Sequence, residues 1–138
     1  MDSRTSADTP LRVVIADDDA FARRVIKLAL QTRGMTVVAE AKDGREAVRS
    51  TLIHKPDLVV LDVVMPGLDG VLATREILNA EPDLLVVVLT GAGEDALGIQ
   101  ALRAGAIAVV PFDANVDALA RAIEAAGRGK WAIARAAG

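Results

Sequence analysis

The chain has 138 residues, one domain's worth, and at 52% hydrophobic and 25% charged it is no disordered polymer. Aromatics are 2%, so the core rests on Val, Leu, Ile and Ala, and no aromatic platform exists for stacking nucleic-acid bases. A net charge of −3 argues against a duplex-binding face, and the absence of cysteine excludes disulfides, zinc–thiolate sites and thiol nucleophiles.

Residues Met1 to Pro10 are polar, lack the apolar stretch of a signal peptide, and read as a loose arm. From there one pattern recurs: a short apolar run, a loop, then a segment of helical period. Arg12–Ala16 is the first run. Ala20–Arg33 follows as a helix, with Asp19 as N-cap, Phe21, Val25, Leu28 and Ala29 expected on the inward face, and Gly34 as its stop. Thr36–Glu40 is the second run, and Gly44–His54, carrying Ala47, Val48 and Leu52, is a helix that ends before Lys55-Pro56. Leu58–Asp62 leads through a Pro66-Gly67 turn to the helix Val71–Ala80, opened by Asp69-Gly70 and stopped before Pro82. Leu85–Thr90 precedes the helix Glu94–Ala104, which carries Leu97, Ala101 and Leu102 and closes at Gly105. Ile107–Val110 is the last run, and Asn115 caps Val116–Gly127, with Val116, Leu119, Ala120 and Ile123 inward. The remainder, Arg128–Gly138, is Ala- and Gly-rich and basic, with Trp131 as a packing anchor, and reads as a helix end or a linker. No apolar run reaches the ~18 residues that span a bilayer.

Short apolar runs without polar alternation are strands buried on both faces, as in a parallel sheet. Five of them alternating with five helices predict an α/β doubly wound domain over residues 11–127, with right-handed crossovers and ligands at the carboxyl ends of the strands.

That edge is acidic. The first strand runs into Asp17-Asp18-Asp19 and the third ends at Asp62. If these strands are neighbours, Asp17, Asp18 and Asp62 converge. Two unit charges ~4 Å apart repel by about 4 kcal/mol at an effective dielectric of 20, so the cluster calls for a cation or a protonated carboxyl. A small all-oxygen site suits Mg²⁺. Asp62, carried on a strand end into a Pro-Gly turn, is placed to act as a carboxylate nucleophile toward phosphorus. Thr90 at the fourth strand end could hydrogen-bond a phosphoryl oxygen or simply its local backbone.

The acidic pair Asp17-Asp18, the stretch LVVLDVVMPGLDG around Asp62, VVVLTGAG around Thr90, and RAGAIAVVPFDANVDALARAI together resemble the receiver domain of two-component response regulators. The tail RGKWAIARAAG looks like the region after the receiver in regulators of the LuxR/NarL-type helix-turn-helix output class. The resemblance covers about residues 11–127. It implies a flavodoxin-like five-stranded sheet of order 2-1-3-4-5 in a cytoplasmic protein. It also implies Asp62 as phosphoacceptor, Mg²⁺ held by Asp18, Asp62 and the carbonyl of Val64 with Asp17 acting through water, and Thr90 as the phosphoryl contact that moves on activation. The donor would be a phosphohistidine on a histidine kinase or phosphotransfer protein, or a small acyl phosphate. A homodimer would form through the fourth helix, fifth strand and fifth helix. With no output domain in the sequence, this would be an excised or a stand-alone receiver, and any binding of nucleic acid would belong to a part outside it.

Two positions depart from the family. The Lys usual at the end of the fifth strand is replaced by Phe112, and the usual aromatic by Val109. Two readings follow: a receiver that is still phosphorylated but has a weakened or rewired switch, or a pseudo-receiver that binds a partner without phosphoryl control. A phosphatase with an aspartate nucleophile would need a second Asp two residues on, where Val64 stands, so self-dephosphorylation should be slow. His54, the single histidine, reads as an exposed residue at a helix end. Gly91, Gly93 and Gly98 form no dinucleotide fingerprint, because the turn after the first strand is Asp-rich rather than Gly-rich.

Overall fold

The computed structural model describes residues 9–113 and 115–137, with side chains described no further than Gly129. Of the expected arm, residues 1–8 lie outside the described residues, as does the Trp131 side chain. The elements alternate: β1 (Arg12–Ala16), α1 (Ala20–Thr32), β2 (Thr36–Ala41), α2 (Gly44–His54), β3 (Leu58–Asp62), α3 (Gly70–Ala80), β4 (Leu85–Thr90), α4 (Asp95–Arg103), β5 (Ala108–Pro111) and α5 (Val116–Ala137). All pairings are parallel and the sheet order is β2-β1-β3-β4-β5, the doubly wound arrangement expected from the sequence. Helix α5 continues through the Ala-rich tail, ten residues past Gly127 where its end was expected (127 to 137).

The sheet separates two apolar layers. On one side Val14, Val59, Leu61, Val86 and Val88 meet Ala47 of α2, Ala73 and Ile77 of α3 and Ala101 of α4. On the other, Val13, Ile15, Val60, Val87 and Leu89 meet Ile26 and Leu30 of α1 and Leu119 and Ile123 of α5. Successive strand residues point to opposite faces, so a strand feeding both layers must be apolar at every position. Each fully buried Val, Leu or Ile contributes ~1.5–3 kcal/mol relative to exposure.

Helix α1 corrects one expectation. Phe21 and Leu28 are not inward: they are 73% and 57% exposed. The buried stripe is Ala22, Ile26 and Leu30, with Val25 and Ala29 half-buried beside it. Phe21 and Leu28, seven apart, form their own stripe roughly 100° or more round the helix. Apolar residues occupy both stripes, so periodicity alone does not choose between them. Leu52 and Leu102 are likewise partly exposed, and Thr51 and Gly98 fill the inward places of their helices.

Helix starts follow side-chain chemistry. Asp19, Asp43, Asp69 and Asn115 each accept a first-turn backbone N–H, satisfying one of the donors a helix start leaves open.

Candidate functional site

The register of β1 and β3 builds the site. Ala16 lies opposite Leu61, so the next residues, Asp17 and Asp62, leave the sheet side by side at its carboxyl edge. The Asp17 amide donates to Ala41 O at 3.0 Å, and the Arg23 guanidinium donates to Asp17 O at 2.6 Å, which ties the loop down from both sides. Beyond β3 the Val63 amide donates to Leu89 O and the Gly70 amide folds back onto Val63 O, both at 2.9 Å. Gly70 is required there: a Cβ would lie 2.5 Å from Asp62 O and 2.7 Å from Val63 Cα. The Val64 amide donates to Asp62 Oδ1 at 3.2 Å.

Asp17, Asp18 and Asp62 each bring one carboxylate oxygen into a group spanning 4.8 Å. Asp17 is buried, Asp62 half-buried and Asp18 exposed. Burial, the negative charge of Asp17, and then those of Glu94 and Asp18 push the Asp62 carboxyl up to about 7, against the pull of its hydrogen bond from the Val64 amide. Burial also raises Asp17, with Asp18 and Asp19 adding repulsion, while the Asp19 amide and a hydrogen bond with Asp62 pull the other way. Without a cation, burial and mutual repulsion thus favour a proton on the pair. Three convergent oxygens at the rim of a rigid sheet, destabilised by their own charge, are the donor set a hard divalent cation such as Mg²⁺ takes.

Thr90 ends β4 beside this group and is buried, its carbonyl accepting from the Phe112 amide at 2.7 Å. Val109 and Thr90 meet across Gly98 of α4, whose missing Cβ would stand 3.0 Å from Val109 Cγ1 and 3.3 Å from Thr90 Cγ2. The Phe112 side chain packs on the α1/α5 layer. Among the described residues no Lys or Arg forms an ion pair with Asp17, Asp18 or Asp62. The basic side chain beside the site, Arg23, spends itself on Asp17 O and on Glu40.

One neighbour was missed from the sequence. Glu94 was read only as the start of a helix, yet its carboxylate accepts from the Gly91 amide at 2.6 Å and its charge acts on Asp62. The available signal was its position four residues after Thr90, in a Gly-rich turn leaving the same sheet edge. His54 is exposed, as expected, and its carbonyl accepts from Arg12.

Residues 13–124 match the response regulator receiver domain family. The chain belongs to that family. This receiver domain is 38% identical to the chemotaxis protein CheY of Bacillus subtilis over 106 residues, 75% of this chain and 88% of that one. It is also 38% identical over 104 residues to protein-glutamate methylesterase/protein-glutamine glutaminase 5 of Myxococcus xanthus, covering 74% of this chain but 30% of that protein's length. The receiver domain of the response regulator NarL from Mycobacterium tuberculosis superposes with a TM-score of 0.81 at 31% identity, over 88% of this chain and 98% of that one. Receiver domains are signalling modules of two-component systems. They exchange phosphoryl groups with histidine kinases and phosphotransfer proteins and use Mg²⁺ at an acidic pocket, a description this site's donor set fits. No helix among the described residues is long and apolar enough to cross a membrane.

Proposed function

We propose that this receiver domain accepts a phosphoryl group on Asp62 from a histidine kinase, a phosphotransfer protein or a small acyl phosphate in the cytoplasm, and that it does so with a rewired switch. The observation that carries the reading is the convergence of Asp17, Asp18 and Asp62 within 4.8 Å on the carboxyl edge of the sheet. Asp18, Asp62 and the Val64 carbonyl would hold Mg²⁺, with Asp17 reaching it through water. When bound, the ion neutralises charge on the carboxylates and on the transferring oxygens.

The protein's own residues do the rest. The Val64 amide fixes Asp62 Oδ1, so the carboxylate meets phosphorus in one orientation. A carboxylate oxygen attacks phosphorus in line as the bond from phosphorus to the donor nitrogen breaks. The electron pair stays on the departing imidazole, which takes up a proton, and a mixed anhydride remains on Asp62. With an acyl phosphate the leaving group is the free carboxylate. Thr90 donates its hydroxyl to the phosphoryl group. Val64 and Ala92 offer no polar side chain to orient an attacking water, so the anhydride is long-lived and self-dephosphorylation slow.

The rewired switch rests on Phe112, which is turned to the α1/α5 layer instead of supplying a cation, and on Val109, which is too small to follow Thr90 as an aromatic would. The same two residues favour a second reading, a phosphorylation-independent pseudo-receiver. Either form would dimerise through α4, β5 and α5, where Ile99 and Leu102 are exposed.

The test is intact mass after incubation with a small acyl phosphate and Mg²⁺, with Asp62→Asn alongside. One phosphoryl adduct on the wild type and none on Asp62→Asn supports the phosphoacceptor reading. A folded wild type with no adduct and no Mg²⁺ affinity favours the pseudo-receiver.

A further inference from the structure

The turn after β4 carries an anion of its own. Gly91-Ala92-Gly93-Glu94 is closed by the Glu94 amide donating to Gly91 O at 3.2 Å, and Gly93 takes the positive φ of 81° that glycine adopts without strain. The Glu94 side chain then folds back, and its Oε1 accepts from the Gly91 amide at 2.6 Å, a short charge-assisted bond. This contact covers Gly91 closely, since a Cβ there would meet Oε1 at 3.4 Å. It also leaves α4 without a side-chain cap, although Glu94 occupies the N-cap position. The same carboxylate is near enough to Asp62 to push its pKa up, more than Asp18 does.

The Gly91 amide follows Thr90, two residues past Leu89, which pairs with Asp62 in the β3–β4 register, and it already holds an anion whose charge acts on Asp62. A donor on this edge suits the negative charge that would arrive there. We propose that Glu94 is a resting-state latch: its carboxylate occupies the Gly91 amide and must leave it when a phosphoryl group forms on Asp62. The inference rests on the phosphoacceptor reading of Asp62. A phosphoryl group brings roughly two negative charges at neutral pH, which outcompete one carboxylate for the amide and repel it. Released, Glu94 is free to cap α4. The latch thus connects Asp62 to α4 through the β4–α4 turn, without using Val109 or Phe112. Glu94 is a positioning residue, since it acts through Gly91.

The test compares the full chain with Glu94→Ala and Glu94→Gln during reaction with a small acyl phosphate and Mg²⁺, followed by intact mass and by the amide resonance of Gly91. Glu94→Ala frees the amide and removes the charge, and should gain the adduct about 5-fold faster or more, a fraction of what one charge-assisted hydrogen bond is worth. Glu94→Gln keeps an acceptor for Gly91 and loses only the charge, so its rate falls between the two and it covers the case of a poorly folded Ala variant. In the wild type the Gly91 resonance shifts as the adduct forms. In Glu94→Ala it starts upfield of the wild type and moves downfield on phosphorylation. Adduct on the variants alone also supports the latch. Equal or slower rates in both variants, or a wild-type Gly91 resonance that ignores phosphorylation, would overturn the latch while leaving Asp62 as acceptor. No adduct on any of the three proteins would overturn the acceptor reading and the latch with it.

Discussion

The two halves of the carboxyl edge are built to different rules. Around β1 and β3 the backbone is pinned: Asp17 is held through Ala41 and Arg23, and Asp62 through Leu89, Val64 and the Gly70 turn. Around β4 and β5 the parts are small or turned away, with Gly98 against Val109, Phe112 on the far layer, and Glu94 folded onto Gly91. The proposed rewired switch would make the acceptor chemistry and its signal readout separable. A site that places three carboxylates needs rigid strand ends, whereas the readout needs only some element whose preferred position changes with charge.

The most severe break in this contrast is expected at Gly70. In Gly70→Ala the new Cβ meets backbone on the Asp62–Val63 segment at 2.5 Å and 2.7 Å, and backbone cannot yield as a side chain can. A loss of about 3 kcal/mol, read by denaturant unfolding, is expected, near the upper end for overpacking. Gly98→Ala on the other half meets a Val109 methyl, a side-chain atom, at 3.0 Å, and helix propensity returns up to about 1 kcal/mol, so the net change should stay within about 1 kcal/mol. Equal costs would remove the claim that the acceptor half is the rigid one.

Helix α1 is a second comparison of two surfaces. Ile26→Ala removes a fully buried side chain between α1 and the sheet and should cost about 3 kcal/mol. Phe21→Ala removes a larger but exposed one and should change stability by less than about 0.5 kcal/mol. A Phe21 cost matching that of Ile26 would return the inward face to Phe21 and Leu28.

A last comparison is between the metal-free and metal-bound edge, read through pH. Asp62 is raised in the fold to about 7 from an ordinary 3.8. Between those values the folded state binds more protons than the unfolded one, so metal-free stability falls as pH rises from about 4 to 7 and is flat in this group's contribution beyond. Asp62→Asn removes that slope in thermal melts across the range. Mg²⁺ would compete with that proton, so its affinity, measured by calorimetry, should weaken as pH falls below 7. A slope unchanged by Asp62→Asn would mean that Asp62 is not the group that keeps the proton.

Strand positions were legible because a parallel sheet buried on both faces leaves uninterrupted apolar runs, and β1, β3 and β4 begin and end at the residues where those runs do. The acidic cluster was legible because each carboxylate lies at the end of such a run. The orientation of α1 was not, since Phe21 and Leu28 form an apolar stripe of their own beside the Ala22, Ile26 and Leu30 stripe that faces the sheet. Glu94 was not legible either. Its role depends on a side chain returning three residues to Gly91, and nothing in the alternation of apolar and polar residues encodes that fold-back.

The separation of chemistry from readout is tested most directly by mapping backbone amide resonances before and after Asp62 is loaded with a phosphoryl group in the presence of Mg²⁺. Changes are expected at residues 17, 18, 62–64, 90 and 91 and at the start of α4, with β5 around Val109 nearly still. Large shifts centred on Val109 and Phe112, with Gly91 and α4 unmoved, would contradict it.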